Sequence, residues 1–219
     1  IISSTRADFG LLKNLMFQFE KNNIYYKFIV IGSHLSKYYG STVNEIKENK
    51  FRVYKKISYN INTSSELGIS NIVSQCVSSI TKTFQKLSPN LIIVLGDRYE
   101  ILSCVISAHI CRIPVAHIHG GELTQGLIDD AFRHSITKMS QLHFVANKIY
   151  KKRVVQLGEN PKHVFNVGGL GVDSIKNIKC LNKNQLEKKL RIKFLKKNII
   201  VNFHPTTLEK GSAKKQIVE

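Results

Sequence analysis

The chain has 219 residues, with 33 Lys and Arg against 15 Asp and Glu, a formal net charge of +18. Hydrophobic residues make up 42% and charged residues 22%, ordinary for a folded protein, so disorder is excluded as the dominant state. No apolar stretch reaches the roughly 18–20 residues that a membrane-spanning helix needs, and no signal-peptide pattern is seen. The length corresponds to about one and a half domains at ~150 residues each. The chain opens on Ile1, as if midway along a strand, and both ends read as fragment boundaries. A pI near 9.8 raises nucleic acid or acidic lipid as partners. The basic excess is mostly Lys, however, and is spread along a chain also rich in Asn and Ile, so it reads as compositional bias. The densest basic segment, 183–197, reads as the solvated face of an amphipathic helix. Trp is absent and no aromatic platform interleaves with the basic runs, so no nucleic acid and no membrane is expected as a partner. Cys76, Cys104, Cys111 and Cys180 show no C-x-x-C spacing and read as free thiols in a reducing cytoplasm.

In chain order, residues 1–4 end a strand and 11–22 carry apolar residues at helical spacing. Residues 25–33 (YYKFIVIGS) form a strand, 43–50 a short helix, 51–59 a strand and 69–87 a helix stopped by Ser88-Pro89. The run LIIVLGD (91–97) reads as a strand buried on both faces, typical of a parallel sheet. A helix over 98–112, a strand over 113–121, a helix over 129–140, a strand over 142–147, a helix over 148–158 and a strand over 164–169 follow. The Gly-rich VGGLG (167–171) suits a hinge. A long basic helix and a strand over 197–204 close the chain. This alternation argues for a doubly wound, Rossmann-like α/β domain. The expected organisation is a first domain over 1–168, a hinge with connecting helices over 169–196, and the opening of a second Rossmann-like domain over 197–219.

In open α/β sheets, ligands bind beyond the carboxyl ends of the strands. Four polar clusters fall there: TRAD (5–8), GDRYE (96–100), HIHGGE (117–122) and FHPTT (203–207). Singly, Asp8, Asp97 and Asp129 read as helix N-caps; together, with two His, one Glu and Arg6 and Arg98, they make one shared cleft. Gly120 and Gly121 let backbone approach a ligand closely. His117 and His119 alternate along a strand and would share a face, but no third ligand is evident, so no metal is expected. Neither phosphate-loop nor dinucleotide fingerprint is present, and no cofactor is expected.

GDRYEIL, IPVAHIHGGE, DDAFRHSITKMSQLHF and VGGLGVD together resemble the hydrolysing UDP-N-acetylglucosamine 2-epimerases of sialic and related nonulosonic-acid biosynthesis. TRADFGLL near the start and NFHPTTLE near the end fit the same order, so the resemblance spans residues 1–210. It implies a glycosyltransferase-B-like pair of domains with the sugar nucleotide between them, the second mostly absent here. It also implies a cytoplasmic homo-oligomer acting on a UDP-sugar. UDP leaves C1 as the C2 proton departs, giving a glycal; water then adds to give N-acetylmannosamine. Asp97, Asp129 and Asp130 match acidic positions of the family, Arg6 a phosphate partner, and His204 the histidine of the second domain's entry strand. Arg98, Asp8, His117, Gly120, Gly121 and Arg133 complete the expected substrate-binding set. One departure matters: where several relatives carry a catalytic Glu, this chain has His119, and Glu122 follows three residues later. The proton-transfer group is therefore Glu122 or His119, with Glu122 favoured because it leaves a flexible turn. The alternatives are the same reaction on a UDP-2,4-diacetamido-6-deoxy sugar, a basic nucleic-acid-binding α/β domain, or a non-catalytic nucleotide-binding fragment. The isolated chain is expected to be inactive.

Overall fold

Alternating strands and helices build a parallel sheet covered on both faces. The structure, a computed structural model, describes residues 1–59, 65–176, 178, 180–203 and 217–218. The elements run β1 (Ile2–Ser3), α1 (Arg6–Lys21), β2 (Phe28–Ile31), α2 (Val43–Glu48), β3 (Val53–Ile57), α3 (Glu66–Leu87), β4 (Ile92–Leu95), α4 (Tyr99–Ile110) and β5 (Val115–Ile118). They continue with α5 (Asp129–Lys138), β6 (Leu142–Val145), α6 (Lys148–Gln156), β7 (Val164–Asn166), α7 (Leu170–Lys176) and α8 (Lys183–Leu190). One ladder runs β1-β2-β3 and another β4-β5-β6-β7, all parallel. β1 lies against β4, so the strand order reverses at that junction. Such a reversal opens a crevice at the carboxyl ends of the two strands.

The two-residue period of the strands sorts their side chains to opposite faces. Ile29 and Ile31 of β2 join Ile92 and Val94 of β4 against Cys76, Ile80 and Phe84 of α3 and Ile101, Cys104 and Ala108 of α4. Phe28 and Val30 point the other way, with Leu95 and Ile118, against Phe9, Leu12 and Met16 of α1 and Val43 and Ile46 of α2. A smaller cluster of Val145, Val154 and Val164 holds α6 on β6 and β7. The LIIVLGD run is thus buried on both sides, as its unbroken apolar character predicts.

Helix α1 starts at a capping box: Thr5 accepts from the Asp8 amide and the Asp8 carboxylate accepts from the Thr5 amide. Thr5, Arg98 and Ile128 hold the N-cap positions of α1, α4 and α5, so the cap reading that Asp8, Asp97 and Asp129 each allow when taken singly does not hold. Helix α7 docks on α1, where Asn14 Nδ2 donates to Ser174 Oγ at 3.2 Å. The basic helix is shorter than its charge pattern suggests, because Arg191 adopts a left-handed conformation that ends α8. The expected strand over 197–204 does not form across its described part, 197–203. Ile199, Ile200 and Val201 are 84–94% exposed. A parallel strand needs a neighbour for its backbone groups, and among the described residues none lies beside this segment.

Candidate active site

Strand β4 delivers Gly96, Asp97 and Arg98 to the crevice. Gly96 takes a positive φ of 81°, a conformation open to glycine, and so turns the chain from β4 towards α4. Asp97 lands against Arg133, which α5 presents from its first turns; the Arg133 Nη2 donates to Asp97 Oδ2. Arg133 is 7% exposed, and its Nε and Nη1 have no hydrogen-bond partner among the described residues. A buried guanidinium with unspent donors, next to two carboxylates, is a group prepared for a further anion.

Strand β5 delivers the second half of the cluster. His119 is not on the strand as expected. It lies just past Ile118 with a φ of 65°, uncommon for a residue other than glycine, though His adopts it more often than most. Its ring Nδ1 comes within 3.4 Å of Glu122 Oε1, while its Nε2 is buried without a hydrogen-bond partner among the described residues. Glu122 Oε2 lies 3.8 Å from Arg133 Nη1. The Gly120-Gly121 turn makes this geometry. A Cβ on Gly121 would stand 2.6 Å from the Tyr150 carbonyl oxygen, and one on Gly120 would stand 3.1 Å from both His117 Nδ1 and Thr137 Oγ1. Arg153 of α6 secures the turn by donating to the Gly121 carbonyl.

Helix α5 adds the last carboxylates. Burial and the nearby Asp97 raise the Asp129 carboxyl above its ordinary pKa, the direction that suits a proton donor. Asp130 instead shapes the loop: its Oδ1 accepts from the Thr124 amide at 2.9 Å and its Oδ2 lies 3.7 Å from His134 Nε2. Burial lowers the His119 pKa, opposed by Glu122, so the ring is neutral near pH 7. A neutral imidazole beside a carboxylate can take up a proton.

Asp97, Glu122, His119, Asp129, Arg98 and Arg133 thus come together at one end of the sheet. Others of the expected set do not join them. His117 is fully buried; its Nε2 donates to the Gly96 carbonyl at 2.9 Å and its Nδ1 lies 3.2 Å from Thr137 Oγ1. It ties β4 to β5 beneath the site and has no surface to offer a substrate. Nor does it share a ligand-facing side with His119, because the chain turns between them. Asp8 is consumed by its cap: it accepts from the Ser4 amide and hydroxyl, the Thr5 amide and the Thr5 hydroxyl at 2.7–3.0 Å. The Arg6 guanidinium is engaged at the surface by Glu45, at 2.6 Å. His204 lies outside the described residues. Sequence reading missed Thr137 and Arg153, whose spacing matches ordinary helix faces; only the fold brings them under the Gly-Gly turn.

The sequence profile of the UDP-N-acetylglucosamine 2-epimerase family matches residues 18–219. The chain belongs to this family. It is 42% identical, over 99% of its length, to the GDP/UDP-N,N'-diacetylbacillosamine 2-epimerase (hydrolyzing) of Campylobacter jejuni, of which it covers 56%. It is 41% identical over its whole length to polysialic acid biosynthesis protein P7 of Escherichia coli, again covering 56%. The chain therefore spans about half the length of the curated relatives it matches. Its fold resembles the Methanocaldococcus jannaschii UDP-GlcNAc 2-epimerase solved in complex with UDP-GlcNAc and UDP. That likeness has a TM-score of 0.68 at 23% identity, over 80% of this chain and 48% of that one. The architecture of the 2-epimerase family is glycosyltransferase-B-like, and the parallel sheet described above accounts for about half of it.

Proposed function

We propose that the protein containing this chain is a hydrolysing 2-epimerase of a UDP-2-acetamido sugar. The observation that carries the reading is the cluster of Asp97, Glu122, His119, Asp129 and Arg133 at the carboxyl ends of β4 and β5. The reaction needs a base for the C2 proton and an acid or cation for the departing diphosphate. As the C2 proton leaves, its electron pair forms the C1=C2 bond and the C1–O bond breaks towards UDP. Water then adds across the glycal, its hydroxyl to C1 and a proton to C2 from the opposite face. Glu122 is the proposed base, with His119 positioning it from 3.4 Å. Asp129, whose carboxyl is raised by burial, is the proposed acid. Arg98 and Arg133 supply positive charge for the diphosphate.

Two sugars are open. UDP-N-acetylglucosamine would yield N-acetylmannosamine for a sialic acid. UDP-N,N'-diacetylbacillosamine would yield a 2,4-diacetamido-6-deoxy sugar, and the activity named for the Campylobacter relative at 42% identity favours it. We place the enzyme in the cytoplasm as a homo-oligomer, with its site completed by a second Rossmann-like domain beginning near residue 197 and a first domain ending near 168. Incubating the full-length protein with each UDP-sugar and identifying the released sugar by mass and NMR tests the reading. Absence of UDP release from both sugars overturns it.

A further inference from the structure

Glu100 is a charged side chain that the reaction outlined above leaves unused. It lies on the first turn of α4, is 2% exposed, and faces the Arg98 guanidinium in a two-pronged pair. Arg98 Nε donates to Glu100 Oε2 and Arg98 Nη2 to Glu100 Oε1, both at 3.1 Å. Burial pushes the Glu100 carboxyl up and Arg98 pulls it back. The surroundings keep water from the carboxylate. The Tyr59 hydroxyl is buried without a hydrogen-bond partner among the described residues, and a Cβ on Gly32, at the end of β2, would run into that hydroxyl and stand 3.6 Å from Glu100 Oε1.

Burying a carboxylate is a poor way to stabilise a fold, since an apolar side chain of similar size would avoid its desolvation. What it supplies is a fixed geometry. Arg98 is the N-cap residue of α4 and sits at the β1–β4 junction, where both Asp8 and Asp129 act on it electrostatically. Its side chain is 40% exposed while that of Glu100 is 3% exposed. Two of its five N–H groups are spent on Glu100, and the guanidinium also lies 5.4 Å from the centre of the Tyr99 ring; its exposed part is what a ligand can reach.

We infer that Glu100 is a positioning residue that holds the Arg98 guanidinium in register to bind the diphosphate of the substrate. Glu100 touches no substrate and acts through Arg98. The inference rests on the reading of the site as a UDP-sugar site.

The test is a double-mutant cycle on the full-length protein, read by UDP titration and by steady-state kinetics, with thermal unfolding of each variant. Glu100→Gln keeps the shape and removes the charge. It raises the Kd for UDP and the KM by about tenfold, the scale of one charge-assisted contact, and changes kcat less. Arg98→Ala raises both by at least as much, and adding Glu100→Gln to it raises neither further. Glu100→Asp, which keeps the charge, binds UDP more tightly than Glu100→Gln, and carries the same comparison if the latter does not fold. An equal loss from Glu100→Gln with and without Arg98 overturns the inference, as does unchanged UDP affinity in a folded Glu100 variant or in Arg98→Ala. These outcomes leave the proposed function standing. A wild-type protein that neither binds UDP nor releases it from any UDP-sugar removes the proposed function and this inference together.

Discussion

Asp97 takes its importance from Arg133. The pair closes the floor of the cleft, so Asp97→Asn removes the charge that holds a nearly buried guanidinium while keeping the shape. A drop in kcat of roughly 10²–10⁴-fold is expected, the range of a positioned acid, base or its partner; normal turnover would reduce Asp97 to a turn residue. The choice between Glu122 and His119 is sharper, because the two side chains face each other. With Glu122 as base, Glu122→Gln abolishes both UDP release and incorporation of solvent deuterium at C2, while His119→Asn slows the reaction less. An active Glu122→Gln beside a dead His119→Asn would assign the proton to the imidazole, whose Nε2, without a partner among the described residues, offers the alternative acceptor. Asp97, Arg98, His119 and Glu122 were legible as a set because the ends of β4 and β5 both carry polar groups. Their separate fates were not: whether a carboxylate faces a cleft or a backbone amide depends on neighbours that no local spacing encodes. Asp8 shows this, its oxygens taken by Ser4 and Thr5.

At the scale of elements, the Gly-Gly turn and α1 make opposite predictions for the same substitution. Gly121 has a φ of 78° and its added Cβ would meet the Tyr150 carbonyl oxygen at 2.6 Å. Gly121→Ala therefore costs about 1–3 kcal/mol of stability through backbone strain, plus activity through displacement of Glu122. Gly10 lies inside α1 with nothing within 4 Å of an added Cβ. Gly10→Ala stabilises by about 0.5–1 kcal/mol. Thermal unfolding of the two variants checks both signs. Elements with strong periodicity, such as α3 and β4, were readable from their residues alone, since burial enforces the pattern. The segment 197–203 was not: it is apolar enough for a strand, but a strand is a pairing, and the sequence does not contain its partner among the described residues.

For the whole molecule, buried neutral histidines set the response to acid. Burial holds His117 down at about 3, and burial also lowers His34, His119 and His143. Unfolding frees these rings to take a proton near pH 6.5. Between about 6.5 and the folded value, the unfolded state binds more protons, so stability falls as the pH drops through this window, by up to roughly 1.4 kcal/mol per pH unit for each ring. Denaturant midpoints at pH 7.5 and 5 check this; an unchanged midpoint would mean the rings are not neutral in the fold. The doubly wound architecture followed from strand–helix alternation, but the substrate is set by side chains that the strand ends alone do not name. The central claim is that these strand ends, with the rest of the protein, invert C2 of a UDP-2-acetamido sugar by elimination and hydration. The most direct measurement is incubation of the full-length protein in D₂O with UDP-N-acetylglucosamine and with UDP-N,N'-diacetylbacillosamine, followed by NMR of the free sugar. The account predicts release of UDP together with a C2-inverted sugar carrying deuterium at C2 from at least one of them. Release of a sugar with retained C2 configuration and no deuterium, or no release at all, would contradict it.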